Sequence, residues 1–257
     1  MMKNFKIKIS LSYAFFLLII ISSCKKDNEQ DNDSYESYRY ELWKNLIDNN
    51  YNFDFIGREK DYGTYPLYAG LEFDNDHEGS GGFESEDVLA NIDEILATIA
   101  SPDIVLLSIG GNDLLDGGNP PSEPIENIVE LVGKLQAHNN NITIYLEEIA
   151  PANSETMTNS LTININDFNS QIVTIADSLT NSSSKVIALD MNSNFNESFL
   201  ADDVHYNPEG AKFIADIYFA GIQSEFSSTN LSDIKILPLG DSRVEGNRPW
   251  KLIIIHI

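Results

Sequence analysis

Ser242 lies in Ile234-Lys-Ile-Leu-Pro-Leu-Gly-Asp-Ser-Arg-Val-Glu-Gly246, an apolar run that breaks into a turn close to the C-terminus. A serine hydroxyl becomes a useful nucleophile only when a base removes its proton, and the base works best when a carboxylate fixes its tautomer. His205, at the end of Asp202-Asp-Val-His205, is the candidate base, and Asp202, three residues earlier, is its candidate carboxylate. Asp203 is the rival carboxylate. Acyl transfer also needs donors aimed at a developing oxyanion, where losing one costs about 3 kcal/mol. Asn112, in Ile109-Gly-Gly-Asn-Asp113 after an apolar run, suits that task. So does a backbone N–H of Gly82, in His77-Glu-Gly-Ser-Gly-Gly82, because a residue without Cβ lets substrate approach.

These residues need a scaffold, and the hydrophobic pattern supplies one. Tyr38, Leu42, Trp43, Leu46 and Ile47 recur at helical spacing before Asn49-Asn50, and a short strand follows at 52–57. An irregular stretch rich in Gly and Tyr runs to Gly82. Helices are then expected at 85–99, 125–138, 163–179 and 208–224, alternating with strands at 103–110, 142–147, 186–191 and 234–239. Within 103–110 the core Ile104-Val-Leu-Leu107 is continuously apolar, as in strands buried on both faces. Such alternation implies a parallel sheet covered by helices on both sides. Segments 119–124 and 224–233 read as surface connections.

Leu239-Gly-Asp-Ser242, the Gly82 block, the Asn112 block and Asp202-Asp-Val-His205 resemble the four motif blocks of the SGNH, or GDSL, hydrolases. The resemblance spans most of the chain after residue 34. It implies an α/β fold: a three-layer α/β/α sandwich around a flavodoxin-like parallel sheet of about five strands. It also implies Ser242 as nucleophile, His205 as base with Asp202, and an oxyanion hole formed by Gly82, Asn112 and the Ser242 N–H. No metal or other cofactor is implied. The activity would be that of a serine esterase, with short acyl esters, acetyl above all, as substrates and acylated polysaccharide as their carrier. A non-catalytic glycan-binding lipoprotein, or a lipase or thioesterase preferring longer acyl chains, is the alternative. One departure is large, because the family places its serine block first. Setting 234–249 ahead of Ser34 restores the usual order of strand, serine turn and helix, so the chain reads as a circular permutant whose central strand comes from its C-terminus. The competing account is a truncated second domain starting at Ile234.

The N-terminus carries Lys3, Lys6 and Lys8, an apolar stretch from Ala14 to Ile21, and Ser22-Ser-Cys24. This is an export-signal pattern, and it resembles the bacterial lipoprotein box. The expected organisation is a signal at 1–23, lipidation of Cys24, a disordered polar tether over 24–34, the hydrolase domain over 35–249, and an apolar tail at 250–257 with no assigned role. Membrane attachment would be through lipid alone, at the outer membrane or cell surface. Cys24 is the only cysteine, which excludes an intrachain disulfide. The formal charge of −24 argues against a nucleic-acid partner, since phosphate binding needs a basic surface. Asp74, Asp76, His77 and Glu78 invite a calcium loop, but Ser85 stands where the loop needs its twelfth-position glutamate. Asp113 reads as a brace for its loop, and Trp43, Phe53, Phe55 and Phe213 read as core.

Overall fold

The computed structural model describes residues 34–61, 63–115, 120–226, 228 and 233–247. The expected signal, Cys24, nearly all of the tether and the tail at 250–257 lie outside these residues. Among the described residues seven strands form one sheet: β1 (Phe53–Phe55), β2 (Glu59–Lys60), β3 (Asp76–Gly79), β4 (Ile104–Ser108), β5 (Thr143–Glu148), β6 (Lys185–Asp190) and β7 (Ile234–Gly240). The order is β2-β3-β7-β4-β5-β6, with β1 also paired to β7. Every pairing is parallel except that of β2 with β3.

The last strand therefore occupies the middle of the sheet. On one side β7 pairs with β4 along Ile104↔Ile236 to Ser108↔Gly240. On the other, β1 covers its first half through Phe53↔Ile234 and β3 its end through Glu78↔Leu239. Pro238 would be out of place in most central strands, since it has no N–H to donate. Its position explains the exception. Ile234 and Ile236 bond toward β1, Lys235 toward Asp103 before β4, and Gly240 toward Ser80 after β3. Alternation therefore turns Pro238 to the side where β1 has ended and β3 has just begun.

Five longer helices cover the sheet: α1 (Arg39–Asp48), α2 (Ser85–Thr98), α4 (Ser122–His138), α5 (Asn159–Leu179) and α6 (Pro208–Glu225), with the shorter α3 (Gly111–Leu115), while α7 (Ser242–Glu245) is a single turn. Successive strand residues point to opposite faces. Val105, Leu107, Ile144, Leu146, Leu237 and Leu239 accordingly pack with α2, α4 and α5. Ile104, Leu106, Tyr145, Ile234 and Ile236 pack with α1 and α6 on the other face. Three layers result.

Local chemistry sets several boundaries. Glu84 and Asp87 form a reciprocal capping box at α2, Thr158 caps α5, and Asn207 caps α6 ahead of Pro208. Three expectations are corrected. The sheet has seven described strands where about five parallel ones were expected, one of them antiparallel. The stretch to Gly82 holds β2 and β3 and is not wholly irregular; both are short, and β2 is exposed, so neither leaves an apolar pattern. Segment 119–124 is not all connection, because α4 begins at Ser122. Pro124 fits there since the first-turn N–H groups of a helix have no partner within it.

Candidate active site

The end of β7 delivers Ser242. Gly240 has φ +155°, and a Cβ there would come within 1.9 Å of the Ser108 carbonyl oxygen, so only glycine lets the chain turn off the strand at this point. Asp241 caps the next turn by accepting from the Arg243 N–H at 2.9 Å. The Ser242 N–H is first in α7 and has no acceptor within that turn. Burial raises the Asp241 carboxyl, with Arg243 and its amide acting against the rise.

His205 arrives from the loop ahead of α6. Its Nε2 is 2.8 Å from Ser242 Oγ, and its Nδ1 is 2.7 Å from Asp202 Oδ2. Asp202 Oδ1 accepts from the Val204 and His205 N–H groups at 2.9 and 2.7 Å. Burial acts to raise the Asp202 carboxyl, but these two amides and the imidazole outweigh it and hold it below the usual carboxylate range. Asp203 turns away to accept from Asn153 Nδ2. Of the two candidate carboxylates, Asp202 is the one at the imidazole.

Asn112 sits in α3, immediately beyond β4, and lines a cavity shared with Ser242. Its Nδ2 donates one hydrogen to the Phe83 carbonyl at 2.9 Å, which leaves the second amide hydrogen for another acceptor. That bond ties Asn112 to the turn containing Gly82. Gly82 itself is exposed, with φ +78° and open space where a Cβ would stand, and it does not line the cavity. Glycine is explained there by backbone conformation, not by close approach of another group. Asp113 accepts from the Ser85 N–H and hydroxyl, which makes it the brace its position implied.

The residues of the calcium reading do not gather. Glu78 pairs with Arg58, and Asp74 accepts from the Phe55 N–H. His77 is buried and accepts from the Gly79 N–H through Nδ1; burial pushes its imidazole down to about 2. Among the described residues no group of three potential ligands forms a metal site.

Three supporting residues escaped the sequence reading. Arg243 Nε donates to the Val204 carbonyl at 3.0 Å and Nη1 to Ala150 at 3.2 Å, joining the serine turn to the histidine loop. Glu147 on β5 is wholly buried and accepts from Ser108 Oγ at 2.7 Å and Tyr218 OH at 2.5 Å. Burial pushes its carboxyl up to about 7 against those two donors. Tyr35 stacks on the His205 ring, with centroids 3.9 Å apart and planes 15° from parallel. A carboxylate inside an apolar strand run marks Glu147 in the sequence, whereas nothing local marks Tyr35.

A nucleophile, base, carboxylate and amide donor in this arrangement are the equipment for acyl transfer. The model of the GDSL-like lipase/acylhydrolase family matches residues 57–213. That is more than half of the chain, which belongs to this family and so to the carboxylic ester hydrolases. The matched window contains Gly82, Asn112, Asp202 and His205 and stops short of Ser242. No curated protein matches the chain. Among solved structures it is similar to an acetyl esterase mutant with acetate ion, at 24% identity and TM-score 0.66, covering 75% of this chain and 92% of that one. A carbohydrate esterase family 3 protein from Talaromyces cellulolyticus gives 24% identity and TM-score 0.65 with the same coverage. A family 3 carbohydrate esterase of Clostridium thermocellum gives 28% and 0.59, covering 73% and 86%.

Proposed function

We propose that the chain is a serine esterase that removes short acyl groups, acetyl above all, from carbohydrate. The observation that carries this reading is the unbroken series Asp202–His205–Ser242, with contacts of 2.7 and 2.8 Å. Ser242 Oγ attacks the ester carbonyl while His205 Nε2 takes its proton. The oxyanion is held by the Ser242 N–H, the second hydrogen of Asn112 Nδ2 and the Gly82 N–H. Collapse expels the alcohol, which takes the proton from His205. Water, deprotonated by the same imidazole, then attacks the acyl-serine to release acid and restore the hydroxyl.

Size supports a short acyl group. Beside Ser242 lies a cavity of about 20 Å³ whose apolar lining includes Leu114, Leu115, Ile149, Ile165 and Val204. A small apolar space beside the nucleophile suits the methyl of an acetyl group. The acetyl and carbohydrate esterases named among the similar structures support the same substrate class. Chain order is read as a circular permutation. In its favour, Tyr35 and Asn247 exchange two backbone hydrogen bonds of 3.0 Å, so the segments that a family member would join directly lie side by side. Export and lipidation at Cys24, with anchoring at the outer membrane or cell surface, complete the proposal on the strength of the N-terminal pattern alone.

Turnover of p-nitrophenyl acetate by wild type and Ser242→Ala tests the mechanism. A loss of at least about 10³-fold is expected, and equal turnover by both proteins contradicts it. An acyl-length series tests the substrate: rates should fall from acetyl to octanoyl, and a maximum on long chains would refute the acetyl preference.

A further inference from the structure

The Tyr35–His205 stack lies outside the acyl-transfer series and yet touches its base. Both ends of that contact are fixed from remote parts of the chain. Tyr35 exchanges two backbone hydrogen bonds with Asn247, five residues beyond Ser242, and the Glu36 N–H donates to the carbonyl of Tyr206, the residue after His205, at 2.8 Å. The segment carrying the ring is thus stitched to the serine turn on one side and to the histidine loop on the other. Next to it, Ser37 Oγ and Arg39 Nε both donate to the Val244 carbonyl, at 2.7 and 2.8 Å. Nothing so anchored is a free surface side chain.

We infer that Tyr35 is a positioning residue for His205, its ring holding the imidazole in the plane that joins Asp202 to Ser242 and supporting the positive charge the imidazole gains on taking the serine proton. Two physical arguments carry this. A parallel ring at 3.9 Å leaves the imidazole free to slide but resists tilting, and tilting would break one contact or the other. The face of an aromatic ring is also its negative pole, so it attracts an imidazolium more strongly than a neutral imidazole. The phenol itself stays uncharged at working pH: burial, then Glu245, Asp202 and Asp241, push it up to about 12. The ring, not the hydroxyl, is the working part.

This inference rests on His205 being the base, and its test separates the two. Kinetics on p-nitrophenyl acetate are compared for wild type, Tyr35→Phe and Tyr35→Leu, since both variants keep the backbone bonds to Asn247. Tyr35→Phe should retain kcat within about twofold, while Tyr35→Leu should lose about tenfold in kcat with KM unchanged. A leucine variant as active as wild type, or a phenylalanine variant as impaired as leucine, overturns the proposal. Should the leucine variant not fold, Tyr35→Met replaces it. Independently of activity, the His205 ring protons, assigned by their loss in His205→Gln, should show an upfield ring-current shift in wild type and Tyr35→Phe. Absence of that shift in wild type refutes the stack itself. Retained turnover in Ser242→Ala would instead refute the mechanism and leave the stack standing.

Discussion

The serine side and the histidine side of the site are built by different physics. Ser242 is only 9% exposed, and its turn is held by groups distant in sequence: Ser37, Arg39 and Tyr35 from the N-terminal segment, and β3 and β4 along the strand before it. Asp202 and His205 are more open, with side chains 36% and 21% exposed. Their geometry is mainly local. Asp202 accepts from residues two and three positions ahead, and Asn207 accepts from Glu209 and Gly210 to start α6. Long-range docking positions the nucleophile and short-range turns position the base, so the two halves should fail in different ways.

The largest expected effect is on the local half. In Asp202→Asn the amide oxygen would stay with the Val204 and His205 N–H groups and the NH₂ would face His205 Nδ1. That orientation puts the imidazole proton on Nε2, where it cannot accept from Ser242, so kcat should fall by about 10³-fold. Melting temperature should barely move. A variant within tenfold of wild type would show that the carboxylate does not set the tautomer.

Arg243→Met tests the bond between the halves. Both carbonyls that Arg243 serves lose their donor while the apolar stem is largely preserved, and misplacement of the serine against the imidazole should lower kcat by about 10²-fold. Unchanged kcat with lowered stability would make Arg243 a packing residue only. Glu147 tests the docked half through pH. Its folded carboxyl titrates near 7, above the roughly 4.3 of an unfolded chain. Between those values the folded state binds more protons than the unfolded, so stability falls as pH rises through this window and is level above it. Tyr218 and Ser108 face the carboxyl directly, with Arg243 favouring its charge and Asp241 opposing it. Glu147→Gln lacks the titration and should gain on wild type by roughly 3–4 kcal/mol from pH 4 to pH 8 in urea unfolding. Parallel pH curves would remove Glu147 from the account. The smallest change is Ser37→Ala, which leaves the Val244 carbonyl with Arg39 alone. It should cost about 1 kcal/mol of stability and little activity.

The same division explains what the sequence made legible. Asp202 and His205 sit in a short motif whose turn is encoded by its neighbours, and Ser242 and Asn112 follow apolar runs in recognisable motifs, so residue type and spacing named all four as candidates. The alternation of apolar strands with amphipathic helices disclosed three layers, and the apolar run at 104–107 disclosed a strand buried on both faces. Strands β2 and β3 were hidden because they are too short to show a period. Arg243 and Tyr35 were hidden for another reason, since each acts through residues far away in the chain, Ala150 and His205, while Glu147 shows as a carboxylate in an apolar run but its role depends on the distant Tyr218. Asp203 and Asp202 are indistinguishable by type, and only the direction of the turn separates them.

The active site depends most on the last strand completing the sheet of its own chain. Ser242→Ala and His205→Ala, each inactive alone, can be unfolded together and refolded as a mixture, with p-nitrophenyl acetate turnover as the readout. Docking within one chain predicts no activity above that of either variant. Recovery approaching a quarter of wild type, as exchange of the strand between paired chains would give (~25%), would contradict it.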